Sequence, residues 1–193
     1  MSRAGSDEEV VAATQAWLER DVIGLNLCPF ARAVSDAGRI RYFVSRAETG
    51  EGLRTDLVSE LRILETLDPA KVDTTLLIHP SVFGDFPDYN DFLGVAEAAV
   101  EELGFAGVFQ IASFHPTYRF AGTAPEDVTN RTNRSPYPML HILREASIAR
   151  AVAGHPDAAG IPARNIETLR RLGAALTPAV PPLSPRPGPA PRP

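Results

Sequence analysis

The chain holds one cysteine, Cys28, and one lysine, Lys71. A single thiol excludes an intrachain disulfide, so the covalent framework of small secreted domains is ruled out. One lysine leaves Schiff-base chemistry a sole candidate, in an apparent helix-to-strand loop. No run approaches the roughly 18 consecutive apolar residues that a membrane-spanning helix needs. Neither charge sign dominates. Lys and Arg number 19 against 24 Asp and Glu, a formal charge of -5, which gives no reason to expect nucleic acid or an anionic membrane as partner. The sequence has no GxGxxG, Walker loop, HExxH, paired CxxC or GxSxG, which removes the common dinucleotide, nucleotide, zinc-protease, thiol-redox and serine-hydrolase signatures. A closed structural zinc site is not expected with one cysteine.

What is present describes an ordinary globular domain. Of 193 residues, 44% are hydrophobic and 22% charged, enough to build one core. The first 21 residues carry acidic side chains and no apolar h-region, so they do not read as a secretory signal. A cytoplasmic location follows as the expectation. The near-exclusive use of Arg over Lys, with many Ala, Gly and Pro, fits a high-GC bacterial source. Eight of the 18 prolines lie between Pro178 and Pro193. That composition cannot pack a core, which divides the chain into a globular domain over 6–175 and a proline-rich disordered tail over 176–193.

Within the domain, Ser6 fits an N-cap for a helix over 7–20. Pro29 to Ala37 reads as a short helix, 39–46 as a strand, and 51–67 as an amphipathic helix with Leu53, Leu57, Leu61 and Leu64 on one face. Thr74 to His79 and Gly107 to Phe114 read as buried strands, separated by a helix over 90–103. Further helices are predicted near 136–152 and 162–172. A return through Tyr118 to Ala121 would add an antiparallel edge strand. This order predicts a single-domain α/β fold: a small, mainly parallel sheet of three to four strands packed with about five helices, with an α+β sandwich as the alternative. Parallel strands would place His79 and His115 together at their carboxyl ends, where open α/β sheets bind ligands.

Three sets of residues carry candidate chemistry. Cys28 precedes Pro29, a good first helical residue, so the thiol is expected at a helix N-cap, where the dipole favours a thiolate. His115, at a strand end, and His141 are candidate bases. The stretch from Asn130 to Glu145 is the most unusual. Ser135 and Pro136 read as a helix start, and the Arg134 guanidinium beside it would make an anion site. Tyr137, His141, Arg144 and Glu145 would then share one helix face. The same residues also fit plain packing, a capped helix and a solvated His–Glu pair. Asp85, Asp88 and Asp91 fit a loop and helix cap better than a cation site.

These stretches bear a resemblance. Gly24-Leu-Asn-Leu-Cys-Pro-Phe-Ala31, Thr75-Leu-Leu-Ile-His-Pro80, Asn90-Asp-Phe-Leu93, Gln110-Ile-Ala-Ser-Phe-His-Pro116, Phe120-Ala-Gly-Thr123 and Asn133-Arg-Ser-Pro-Tyr-Pro138 resemble the bacterial family called domain of unknown function 1415. Leu140-His141, Leu143-Arg-Glu145 and Arg164-Asn-Ile-Glu-Thr-Leu169 match it too, so the resemblance runs from Ala13 to Gly173. It implies that Cys28, His115, Asn133, Arg134, His141, Arg144 and Glu145 belong to a shared set of polar positions. It transfers no catalytic role.

The leading expectation is an enzyme acting on a small anionic metabolite. Cys28 would be the nucleophile and His115 or His141 its base. Arg134, Arg144 and the helix start at Ser135 would hold the anion, Asn130 and Asn133 would donate to an oxyanion, and Glu145 would orient His141. The alternatives are a non-catalytic small-ligand or anion-binding protein, a metal-dependent enzyme using Cys28 and the histidines, and an interaction protein whose motifs are structural. The sequence names no cofactor and no dedicated metal ligand.

Overall fold

The structure, a computed structural model, describes residues 5–173; the expected tail over 176–193 lies outside them. The described chain runs α1 (Asp7–Trp17), a π-helical segment (Leu18–Ile23), α2 (Ala31–Asp36), β1 (Ile40–Val44), α3 (Gly50–Thr66), β2 (Thr74–Ile78), α4 (Phe86–Glu102), β3 (Phe109–Phe114), a 3₁₀ segment (Val128–Asn133), β4 (Met139–Arg144), α5 (Glu145–Ala153) and α6 (Ile161–Leu172). No helix among the described residues is long and apolar enough to cross a membrane.

The α/β architecture agrees with the sequence, but the sheet is mixed rather than mainly parallel. Its order is β1-β2-β4-β3. β1 and β2 pair in parallel, and β4 runs antiparallel to both β2 and β3. It follows that β1, β2 and β3 all point one way, with β4 reversed between the last two. The antiparallel strand is not Tyr118 to Ala121, which forms none; it is the first half of the stretch expected to be helical from 136. Pro138 lacks an N–H and restricts Tyr137 to extended backbone. The next six residues then bury alternate side chains on opposite faces: Leu140 and Ile142 on one, Met139 on the other. The helix begins only at Glu145, whose N–H is still bonded to the Val108 carbonyl at 2.9 Å.

Helices cover both faces. On one, the Leu53, Leu57, Leu61 and Leu64 stripe of α3 packs with Tyr89, Phe92, Ala96 and Ala99 of α4 against Leu77, Phe109, Leu140 and Ile142. On the other, Val10 and Trp17 of α1 and Leu18, Val22 and Ile23 of the π segment pack against Leu76, Ile78 and Met139. Each leucine fully removed from water contributes about 2 kcal/mol. The ends of the helices are set locally. Ser6 and Glu9 form a reciprocal capping box on α1. Thr49 caps α3 by accepting from the Gly52 N–H. Pro87 in its first turn lets α4 start at Phe86, before the expected Asn90.

Candidate functional site

The stretch from Asn130 to Glu145 is a structural hub rather than a helix with an anion site. Asn130 is fully buried. Its side-chain oxygen accepts from the Phe120 N–H at 3.0 Å and the Thr123 hydroxyl at 2.8 Å, and its amide donates to the Ala124 carbonyl. Asn133 donates to the Ser113 carbonyl at 3.0 Å. Arg134 donates to the carbonyls of Tyr118 and Pro125, and burial lowers its pKa. The Ser135 hydroxyl does not cap a helix; it donates to the Tyr137 carbonyl at 2.6 Å. Tyr137 packs against the α1-side core. These groups close loops around the ends of β3 and β4.

The helix face expected to join His141, Arg144 and Glu145 does not exist. His141 and Arg144 lie in β4 three residues apart, so their side chains leave opposite faces of the sheet. Arg144 donates to the carbonyls of Leu64 and Leu67 at the end of α3, and its guanidinium lies 5.5 Å from the Phe109 ring. Glu145 opens α5.

Cys28 is not a helix N-cap. α2 starts at Ala31 with Phe30 as its N-cap, and Cys28 lies in the bend before it, half-buried against the α1-side core. His115 follows β3 on the other face, against Tyr89 and Phe86 of α4. His141 shares the face of Cys28, beside Phe114. No hydrogen bond joins Cys28 to either histidine: both ring nitrogens of His115 have other partners, and the buried Nε2 of His141 has none. Among the described residues no group of three His, Cys, Asp or Glu side chains is placed to hold a metal ion.

The structure instead assembles two other places. The first is a buried aromatic and imidazole cluster at the carboxyl ends of β2 and β3. His79, Tyr89 and His115 are each 0% exposed. The Tyr89 ring centroid lies 5.7 Å from that of His79 and 5.1 Å from that of His115. Its hydroxyl donates to the Met139 carbonyl at 2.8 Å and accepts from the Phe114 N–H at 3.1 Å, tying β3 to β4. Burial raises the phenol's pKa, so it stays protonated. Burial also pushes His79 and His115 down to about 4, leaving both imidazoles neutral at pH 7. Their bonds fix the tautomers. His79 donates from Nδ1 to the Val82 carbonyl at 3.1 Å, and His115 donates from Nε2 to the Phe83 carbonyl at 3.1 Å. His115 Nδ1 accepts from the Thr117 N–H. His79 Nε2 is buried without a partner.

The second place is an open cleft of about 620 Å³ between residues 24–29 and α6. Its chain geometry is unusual. The π-helical segment ends at Gly24, where an added Cβ would lie 2.4 Å from the Arg20 carbonyl oxygen, so only glycine fits. Asn26 has a φ of 54°, a left-handed conformation that Asn tolerates better than most residues. π-Helical turns and such backbone concentrate at functional sites. Gly24, Leu25, Asn26 and Pro29 form one wall; Arg164, Asn165, Thr168 and Arg171 stand on the other, with His155 and Asp157 at one end. Asn165 donates to the Leu27 carbonyl at 2.7 Å and fastens the walls together. Asp157 is saturated: it binds the Arg164 guanidinium and accepts from the Gly160 N–H. Hydrogen bonding to both lowers its pKa. Arg171 is exposed and has no ion pair among the described residues.

Sequence reasoning placed His79 beside His115 at the expected ligand end of the sheet without giving it a role, and passed over Tyr89, Asn26, Arg164, Asn165 and Arg171 as site residues. A signal existed for the cleft: the strings Gly24 to Ala31 and Arg164 to Leu169, far apart in the chain, meet there. No curated protein and no solved structure matches the chain. One family model does, over residues 9–178, described as a protein of unknown function (DUF1415), and the chain belongs to that family.

Proposed function

We propose that the protein binds a small anionic molecule in the cleft between residues 24–29 and α6. One observation carries this reading: two segments distant in sequence, one built on a π-helical turn and a left-handed Asn26, are locked by Asn165 into a cleft that leaves the Arg171 guanidinium open. Its volume of about 620 Å³ lies within the roughly 300–1,000 Å³ of small-molecule sites. Asp157 and Arg164 neutralise each other there, so Arg171 supplies the uncompensated charge, and a guanidinium suits a carboxylate or phosphate. Asn26, Thr168 and His155 add polar groups to the wall, and Leu25, Pro29, Ile161 and Leu172 add apolar ones.

Binding without turnover ranks ahead of catalysis by Cys28, because a nucleophile needs a base in hydrogen-bond reach and neither His115 nor His141 bonds to it. The test is a thermal-shift and calorimetric screen of the full chain against small carboxylates and phosphate esters. A ligand raises the Tm by mass action, and Arg171→Ala weakens its binding at least tenfold while Arg119→Ala, outside the cleft, does not. A screen with no binder, or a binder indifferent to Arg171→Ala, overturns the reading.

A further inference from the structure

We propose that Pro80 to Asp85 is a strap, fastened across the end of the sheet by His79 and His115, which acid unfastens.

The geometry is specific. Two histidines leave the carboxyl ends of β2 and β3, which point the same way with β4 between them. Each donates one ring N–H to the strap, and the two acceptors are consecutive carbonyls, Val82 and Phe83. Phe83 is held at a φ of 56°, a conformation that a bulky residue adopts only under constraint. Its ring packs on Phe92, 4.7 Å between centroids, and Gly50 leaves room for it, since a Cβ there would lie 3.0 Å from the ring. The strap thus stores backbone strain that the two imidazole bonds and the packing of the Phe83 ring restrain.

Both ring N–H groups still donate to the strap when the imidazoles are protonated, and those two bonds favour the charged form. What opposes the charge is burial of both rings beneath the strap, which opening relieves. His115 Nδ1 accepts from the Thr117 N–H at 3.1 Å and lies as close to the Thr117 hydroxyl; once protonated, it loses the first bond and keeps only the hydroxyl as an acceptor. His79 Nε2 is buried with no acceptor, so a proton there would be a charge with no partner. The titratable groups around the pair are few. Tyr89 faces both rings from α4, Tyr118 lies across Phe86 after β3, and Asp85 is the carboxylate that favours a charged His115. The histidines disfavour each other's charge. Burial outweighs Asp85 and holds both imidazoles near 4 against an ordinary 6.5. Protonation therefore drains the fastened state, and between pH 6.5 and 4 each histidine raises the strap's opening constant by up to roughly 80-fold.

Hydrogen exchange on the full chain, corrected for intrinsic rates, reads this directly. Peptides covering 80–89 should lose protection as pH falls from 7 to 4.5, ahead of peptides from α3. The double variant His79→Asn, His115→Gln keeps an N–H donor at each position and cannot titrate; its 80–89 protection should stay flat with pH. Loss of protection in 80–89 and α3 together, or a wild-type acid response in the double variant, overturns the proposal. Should the variant not fold, imidazole nitrogen chemical shifts of the wild type decide. An Nδ1–H tautomer at His79 and Nε2–H at His115, titrating together with the Val82, Phe83 and Gly84 amides, supports the strap. Titration near 6.5 with those amides unmoved removes it.

Discussion

Asn165 donates its side-chain amide to the carbonyl of Leu27 across 2.7 Å, linking α6 to a loop near the opposite end of the chain. Asn165 is 7% exposed, so the bond is shielded from water. Replacing it with leucine removes the donor and leaves the Leu27 carbonyl without it. Asn165→Leu is expected to lower stability by about 1–3 kcal/mol and to weaken the ligand found in the screen. Urea unfolding checks the first part: the midpoint should fall at constant slope. An unchanged midpoint would show that the tether is incidental.

His141, His79 and His115 are each held by burial at about 4, against 6.5 unperturbed. Their folded-state pKa values are depressed, so the unfolded chain takes protons first as pH falls. The contribution to stability is complete above about 6.5, declines between 6.5 and 4, and levels off below. Each shift corresponds to at most about 3 kcal/mol. Urea unfolding at pH 7.5 and 4.5 should show a large loss. His141→Leu, which removes an imidazole whose buried Nε2 has no partner, should reduce that loss by about a third. Equal stability at the two pH values would mean that these histidines ionise freely in the folded protein.

Cys28→Ser is expected to cost about 1 kcal/mol or less and to leave ligand affinity within twofold. The thiol is half-buried against the α1-side core and does not line the cleft. A tenfold or greater loss of binding or turnover in this variant would return Cys28 to the centre of the function.

Much of the fold was legible in the sequence because its signals were local. The leucine stripe of α3, the capping box at Ser6 and the two apolar strand runs each needed only their own residues. The parallel direction of β2 and β3, and with it the placing of His79 and His115 at one end, followed from the alternation of strands and helices. The segment after Ser135 was misread because His141, Arg144 and Glu145 have helical spacing by coincidence. Pro136 and Pro138, two residues apart, carried the opposing signal: a proline suits a first helical turn, but the second holds its predecessor extended. The anion site failed for a related reason. Asn130, Asn133 and Arg134 are polar because the loops between β3 and β4 need donors and acceptors for buried backbone, a demand visible only once those loops are folded. Arg171 gave no such signal, since an arginine on a polar helix face looks the same with or without a cleft beside it.

The reversed strand between β2 and β3 imposes an order of events on the chain as it is made. β1 and β2 are neighbours and can pair once both have emerged. β3 has no partner until residues 139–144 arrive to run between it and β2. For the time a ribosome takes to add the intervening stretch, on the order of seconds at about 5–20 residues per second, β3 is a strand with no sheet to join. Its exposed apolar side chains, Phe109 and Ile111 among them, are then open to wrong partners. A chain stopped short of Met139 would therefore be expected to aggregate, rather than to persist as a smaller version of the same sheet.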